Sequence, residues 1–205
     1  MACPAFHLFD SIKPTSCVTP SLRASSKRIM LKMRARVQNS PMPSGADRSH
    51  IEILIEEAGW LAACPNLEGL AHETVAAVLA ENTGEIAILF TSDVAMRELN
   101  RDFRRIDNAT NVLSFPAAQG SGHRLGDIAL AFETCREEAR DQSKAFVNHV
   151  RHLLVHGLLH LLGYDHITDS EAELMEARER EILNRFGIAD PYDAVRFDDG
   201  KNVAH

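Results

Sequence analysis

Apolar and polar residues follow regular patterns through most of the chain after residue 46. The stretch "IEILIEEAGW" (51–60) alternates as a half-buried strand does, and "EIAILFT" (85–91) is the continuous apolar run of a buried strand. Between them, "LEGLAHETVAAVLAEN" (67–82) repeats apolar residues at intervals of three and four, which indicates a helix against a core. The first part of the body therefore alternates strands with helices.

The same alternation continues towards the C-terminus. Capping residues, glycines and a proline separate the segments, so each segment has recognisable ends. We predict, in order, a helix at 92–105, a strand at 111–116, a glycine-containing loop at 117–126, a strand at 127–132, one helix or a broken pair from about 133 to 162, and a helix at 168–187. Strands mixed with helices around one small sheet predict an α+β or α/β fold.

Residues 1–46 lack this periodicity and are rich in proline, serine and basic residues. The formal net charge of −7 divides into +6 over this segment, from seven basic residues and one acid, and −13 over the remainder. We predict a disordered basic extension (1–46), a folded domain (47–190) and a C-terminal tail (191–205). Two other interpretations of the extension stay open: an organellar transit peptide, or a start codon assigned too far upstream.

Charge, cysteines and hydropathy restrict the class of protein. An acidic body disfavours broad electrostatic capture of nucleic acid, although a local basic patch could still bind it. The four cysteines are scattered without a CxxC pair, and no run of 18 apolar residues exists. We therefore expect reduced thiols, no membrane association and a cytoplasmic location.

Five of the ten histidines lie within residues 149–166, and the first four recur at intervals of three or four along one helical face. Eight residues of helix rise about 12 Å, whereas metal ligands must converge on one point, so a straight helix offers only two histidines on adjacent turns. Gly163 can end the helix and fold the chain back. This selects His156, His160 and His166.

Three neutral imidazoles favour zinc and leave its fourth position open, as in catalytic rather than structural sites. The competing interpretation is three hydrogen-bonded core histidines. We expect His149 and His152 to face solvent, although contacts with the metal ligands or with RNA stay open. The spacing matches the metzincin signature HExxHxxGxxH, but Gly157 replaces the glutamate that acts as base in those proteases. A protease of that mechanism is therefore disfavoured.

The whole motif "HGLLHLLGYDH" (156–166) is similar to the HGxLHLxGYDH signature of the YbeY family, bacterial zinc-dependent endoribonucleases of ribosomal RNA maturation. Two further blocks resemble that family: "ELNRDFRRIDNATNVLSFP" (98–116) and "GDIALA" (126–131). The resemblance covers about residues 51–187. It departs from the family pattern at Phe103, where tyrosine is common, and at Ala109, where proline is common.

The resemblance implies a compact α+β domain with a small mixed sheet, helices on one side, and a metal cleft at the end of a long helix. It implies a single-strand-specific endoribonuclease with one Zn²⁺ held by the same three histidines, acting in 3′ end processing of small-subunit ribosomal RNA and in ribosome quality control. Ribosomal RNA and the small ribosomal subunit would be the partners, with no membrane and no DNA. The family's important arginine falls on Arg104.

Phosphodiester cleavage builds negative charge that a guanidinium stabilises well, which gives Arg104 a catalytic role. Arg101 and Arg105 would bind substrate beside it, forming the local basic patch that an acidic body needs. The alternative for Arg97 and Arg101 is a solvated helix face paired with Glu98, Asp102 and Asp107. Asp165 could act as a base or orient an imidazole. Two other functions stay open: a ribosome assembly factor with structural zinc, and another metal-dependent hydrolase.

Overall fold

The computed structural model describes residues 49–80, 83–118 and 120–192, which form one small sheet and its surrounding helices. The strands are β1 (Ser49–Ile55), β2 (Gly84–Thr91), β3 (Val112–Pro116) and β4 (Arg124–Ala131). The helices are α1 (Gly59–Ala63), α2 (Leu67–Leu79), α3 (Asp93–Arg104), α4 (Phe132–Asp141), α5 (Phe146–Leu161) and α6 (Asp169–Asn184).

The sheet has the order β1-β2-β4-β3, with β1, β2 and β4 parallel and the edge strand β3 antiparallel to β4. One register row crosses all four strands and consists of Ile53, Ile88, Ile128 and Ser114. Helix α5 packs against the Ser114 end of this row, where the Ser114 hydroxyl donates to the Gly157 carbonyl at 3.2 Å. The predicted α+β fold with a small mixed sheet is confirmed.

Helices cover both faces of the sheet, which differs from the expected arrangement with helices on one side. The larger core joins one face to α1, α2, α4, α5 and α6. On the other face, Met96 and Leu99 of α3 cover β2, β3 and β4 residues such as Leu89. The sequence gives the reason, because β2 is almost wholly buried and a central strand with two apolar faces needs a helix on each.

Three element boundaries differ from the predictions. The strand predicted over 51–60 stops at Ile55, and α1 begins at Gly59, whose lack of a side chain admits the Phe132 ring. Strand β4 begins at Arg124, inside the predicted loop. The segment predicted over 133–162 is a broken pair, because the chain leaves helical geometry between α4 and α5 and Ser143 takes a φ of 52°.

The proposed N-terminal extension and almost all of the C-terminal tail lie outside the described residues, so their boundaries stay predictions. Cys64 and Cys135 are buried free thiols, and burial raises the pKa of both. Cys3 and Cys17 lie outside the described part. Within that part, no helix combines the length and apolar character that crossing a membrane requires.

Candidate metal centre

Helix α5 presents His156 and His160 on adjacent turns and then ends in a bend at Gly163. The N–H of Gly163 donates to the His160 carbonyl at 3.1 Å, and the N–H of Tyr164 donates to the Leu159 carbonyl at 3.0 Å. This is the Schellman pattern of helix termination, which requires a left-handed residue. Gly163 supplies it with a φ of 91°. The predicted bend is confirmed, and it turns the chain back towards the helix.

The bend brings His166 to the two helical histidines. The Nε2 atoms of His156 and His160 lie 3.0 Å apart, and the His166 ring centroid lies 5.6 Å and 5.1 Å from theirs. One nitrogen from each ring can be chosen so that all three lie within 4.8 Å of one another. His156 and His160 are buried and His166 is half-buried. The three histidines selected from the sequence therefore converge, and metal binding by them stays a prediction.

Hydrogen bonds fix which ring nitrogens of the helical histidines carry the proton. The Nδ1 atom of His156 lies 2.7 Å from Glu179 Oε1, and Nδ1 of His160 lies 3.0 Å from the Tyr164 carbonyl oxygen. A carbonyl only accepts, and an ionised carboxylate only accepts, so each Nδ1 carries the hydrogen. Each Nε2 then holds a lone pair directed at its neighbour.

Two facing lone pairs at 3.0 Å repel unless a cation lies near them. Protonation is disfavoured at neutral pH, because burial lowers the pKa of His156 and lowers the pKa of His160 to about 4. His166 adds a buried Nε2 without a hydrogen-bond partner among the described residues. Three imidazole nitrogens suit a borderline cation such as zinc, whose tetrahedral ligands at roughly 2.0–2.1 Å lie about 3.4 Å apart. The donor set therefore fits a metal ion.

Sequence reasoning missed Glu179 of α6, which is fully buried beside the histidines. One oxygen accepts from His156, while the other accepts from the Tyr192 hydroxyl and lies 3.5 Å from His152 Nε2. Burial raises the pKa of Glu179, but the His156 and His152 contacts outweigh burial, so its pKa is lowered and the carboxylate is ionised. A signal existed in the sequence, since Glu179 occupies the apolar stripe of α6 between Met175 and Ile182.

The expectation that His149 and His152 face solvent is wrong, since their exposed fractions are 3% and 7%. Nε2 of His149 pairs with Glu138 of α4 at 2.9 Å, and His152 approaches Glu179. The reason is that α5 lies between the sheet and other helices, so residues 152–160 are all buried. Helices α4 and α6 therefore cover the face of α5 that the sequence pattern predicted to be exposed.

The structure explains why glycine stands where metzincins have glutamate. A Cβ atom at Gly157 would lie 3.1 Å from Ser114 Oγ and 3.3 Å from two Ile128 atoms, so this side of α5 is pressed onto the sheet. Asp165 acts locally, since its Oδ1 accepts from the backbone N–H of His166 at 2.9 Å. An open depression of about 400 Å³ lies beside the bend and is lined by Leu162, Gly163, Tyr164, Asp165, Glu171 and Leu174.

Arg104 lies half-buried in the last turn of α3, on the other face of the sheet. Its neighbour Phe103 packs edge-on against Phe115 of the edge strand, with ring centroids 5.1 Å apart. Ser114, the residue before Phe115 in that strand, donates to the carbonyl oxygen of Gly157, which adjoins His156. The end of α3 is thus linked to the histidine turn around the edge of the sheet.

The other arginines of this helix differ in their contacts. Arg97 makes two hydrogen bonds of 2.8 Å to the Asp107 carboxylate, and Arg101 lies 3.8 Å from the same group. Arg105 is exposed and caps the helix with a φ of 66°. Arg101 therefore lies in ion-pair distance of Asp107, as the alternative interpretation of a helix face paired with acids expects. The predicted substrate-binding roles of Arg101 and Arg105 stay predictions.

The chain is similar to several known proteins. The family model described as endoribonuclease YbeY matches residues 61–187. The endoribonuclease YbeY of Nitrobacter winogradskyi is 48% identical over 154 residues, covering 69% of this chain and 80% of the relative. That of Bradyrhizobium sp. is 46% identical over 173 residues, covering 78% and 98%. The solution structure of TM1509 from Thermotoga maritima aligns with a TM-score of 0.48 and 24% identity, covering 76% of this chain and 99% of that one.

Proposed function

This chain belongs to the YbeY family of endoribonucleases, and we propose that it uses one zinc ion to cleave single-stranded RNA during 3′ end processing of small-subunit ribosomal RNA. Membership makes it a nuclease, hence a hydrolase, and a metal-dependent one with a histidine group that can bind the metal. The proposal adds zinc, the ribosomal substrate, a part in ribosome quality control and a cytoplasmic location.

The convergence of three imidazole nitrogens at the end of α5 carries the proposal. His156, His160 and His166 would hold the ion, and the fourth tetrahedral position is left to a group from outside the protein. When bound, zinc would supply Lewis-acid stabilisation of the charge that develops on the phosphoryl oxygens. A purely structural ion in an assembly factor is less well supported, because it usually has four protein ligands.

Arg104 is the proposed cation for the reacting phosphate. Its guanidinium fork can contact two non-bridging oxygens at once, as charge builds on them in the transition state. In support, Phe103, the residue before Arg104, packs on Phe115 of the edge strand, and the neighbouring strand residue Ser114 is hydrogen-bonded to the histidine turn. Arg105 would bind the flanking RNA backbone, and Arg101 would do so more weakly because it already pairs with Asp107. These few cations form the basic patch of an otherwise acidic body.

The proposal is tested by incubating the zinc-loaded full-length protein with precursor ribosomal RNA and with single-stranded DNA. We expect cleavage of RNA alone, and none by His156→Ala. Arg104→Ala should lower turnover by on the order of 10²-fold with zinc content intact, because it removes transition-state stabilisation. Arg104→Lys should recover part of the rate, since it keeps the charge but loses the fork.

Arg97→Ala is the matched control, because it removes the same charge from an exposed position of the same helix. It should cleave at nearly the wild-type rate. Wild-type turnover by Arg104→Ala would show that another group holds the phosphate. If zinc-loaded wild-type protein binds the small ribosomal subunit but cuts no RNA, the assembly-factor alternative takes precedence.

A further inference from the structure

We propose that Glu179 is a positioning residue that fixes the tautomer of His156 and balances the charge of the metal ion. This inference rests on the proposed function only in requiring a divalent ion at the three histidines. Glu179 lies 23 residues from His156 in sequence, on α6, and reaches it across the α5–α6 contact. Its role would be exerted through His156, since the measured contact is with the nitrogen that faces away from the cluster.

The two carboxylate oxygens have separate partners. Oε1 accepts from His156 Nδ1 at 2.7 Å, which keeps the hydrogen on Nδ1, so that Nε2 carries the lone pair that can bind an ion. Oε2 accepts from the Tyr192 hydroxyl and lies 3.5 Å from His152 Nε2. The hydrogen bonds from His156 and from the Tyr192 hydroxyl therefore stabilise the ionised carboxylate. A carboxylate bonded to the far nitrogen of a ligating imidazole also makes that imidazole a stronger ligand.

Within the described part of the chain, no lysine or arginine lies in ion-pair distance of Glu179. Among the described residues, the groups in contact with its oxygens belong to His156, His152 and Tyr192. Arg180 is close in sequence but pairs with Glu176 at 3.6 Å and with Asp190 at 3.9 Å. A carboxylate with an exposed fraction of 0% and no lysine or arginine partner among the described residues is costly to bury in its ionised form. A divalent cation on the other side of the His156 ring would offset that cost.

Helix α5 contributes a second histidine, His149, to a histidine–glutamate pair with Glu138 of α4, and this pair serves as a control. Glu138 lies 2.9 Å from His149 Nε2, and it also accepts hydrogen bonds from the Asn111 amide. This pair has the same chemistry and a similar distance, but His149 is outside the metal-capable group. Glu179→Gln and Glu138→Gln therefore make the same chemical change. An effect on zinc affinity seen with Glu179→Gln alone would come from its place beside the metal-capable histidines and not from the loss of a histidine–glutamate pair in general.

The test uses full-length Glu179→Gln, with Glu138→Gln as control. Glutamine can still accept from His156 and donate to the Tyr192 oxygen, so the packing is kept and only the charge is lost. Zinc affinity is measured by competition with a chromophoric chelator, and the ligand field by Co²⁺ absorption. We expect zinc to bind roughly 10- to 100-fold more weakly to Glu179→Gln, with an altered cobalt spectrum, and with unchanged affinity to Glu138→Gln.

Thermal unfolding supplies a second readout. Without metal, Glu179→Gln should unfold at or above the wild-type temperature, because it removes an unbalanced buried charge. Zinc should then raise its unfolding temperature less than that of the wild type, since affinity and stabilisation are linked. A residue with only a packing role would instead lower the unfolding temperature equally with and without zinc.

The outcomes separate this inference from the proposed function. Wild-type zinc affinity in Glu179→Gln, with zinc lost in His156→Ala, overturns the inference and leaves the metal centre standing. Equal zinc binding by wild type and His156→Ala contradicts the centre itself. If Glu179→Gln does not fold, Tyr192→Phe is the deciding variant. It removes the donor to Oε2, which should destabilise the metal-free protein more than the zinc-bound protein. Zinc should therefore raise the unfolding temperature of Tyr192→Phe more than that of the wild type. An equal or smaller rise would overturn the inference.

Discussion

The two ends of helix α5 both bury a histidine against a glutamate, yet only one end has the properties of a metal centre. Near the start of the helix, His149 pairs with Glu138 at 2.9 Å, and near its end His156 pairs with Glu179 at 2.7 Å. A buried ring nitrogen without a hydrogen-bond partner among the described residues also occurs at both ends, in His149 and in His166. The difference is convergence, because within the described part of the chain three imidazoles meet at one end only. Burial and pairing alone therefore do not identify a metal site.

The position of the glycine bend explains this difference. Gly163 reverses the chain shortly after His160. This brings the His166 ring to the rings of His156 and His160, which lie on adjacent turns. Near the start of the helix the chain arrives from α4, and the local partners of His149 are a carboxylate and, through it, the Asn111 amide. The first pair connects α5 to α4 and to the residue before β3, whereas we propose that the second pair orients a metal ligand.

The largest effect that separates the two ends is expected from replacing each histidine with alanine. His156→Ala should lose zinc and RNA cleavage together, because two ligands cannot hold the ion as three do. His149→Ala should keep both and lose roughly 1–3 kcal/mol of stability, because Glu138 loses a buried partner. Metal content by mass spectrometry, RNA cleavage and chemical denaturation provide the measurements. Loss of zinc in His149→Ala would remove the distinction between the two ends.

A smaller effect is expected where α5 is pressed against the sheet. Gly157→Val should lower the free energy of unfolding by about 1–3 kcal/mol, because even its Cβ would lie 3.1 Å from Ser114 Oγ. Asn148→Val introduces the same residue at an exposed position of the same helix, and should change stability by only about 0.5 kcal/mol. Urea denaturation measures both. Equal stability of the two variants would mean that α5 can move away from the sheet at the histidine end.

The smallest expected effect comes from the bend itself. Gly163→Ala should cost roughly 1–2 kcal/mol, because the φ of 91° is unfavourable for a residue with a side chain. It should also weaken zinc binding several-fold, because any relaxation of the bend moves His166. Gly187→Ala has a similar backbone cost, with a φ of 67° and open space around the added atom.

Gly187 lies after α6 and outside the histidine cluster, so its alanine variant should lose stability without losing zinc affinity. Calorimetry of zinc binding and thermal unfolding compare the two variants. Unchanged zinc affinity in Gly163→Ala would show that His166 keeps its place without the left-handed glycine.

The sequence by itself determined the features that depend on short-range geometry. The rise of a helix and the freedom of a glycine select His156, His160 and His166, and both rules act within eleven residues. A continuous apolar run, three-to-four spacing and helix end signals likewise predicted β2, α2 and α6 respectively, because each signal is contained in one element. The family resemblance rests on the same contiguous motifs.

Only the tertiary structure decided which distant side chains meet. Glu179 reaches His156 because α6 packs on α5, and no local pattern states which apolar stripe lies against which. The burial of His149, the pairing of Arg97 with Asp107 and the place of α3 on the second face of the sheet have the same origin. Periodicity shows that a face is buried, whereas the partner of that face is fixed by the packing of whole elements.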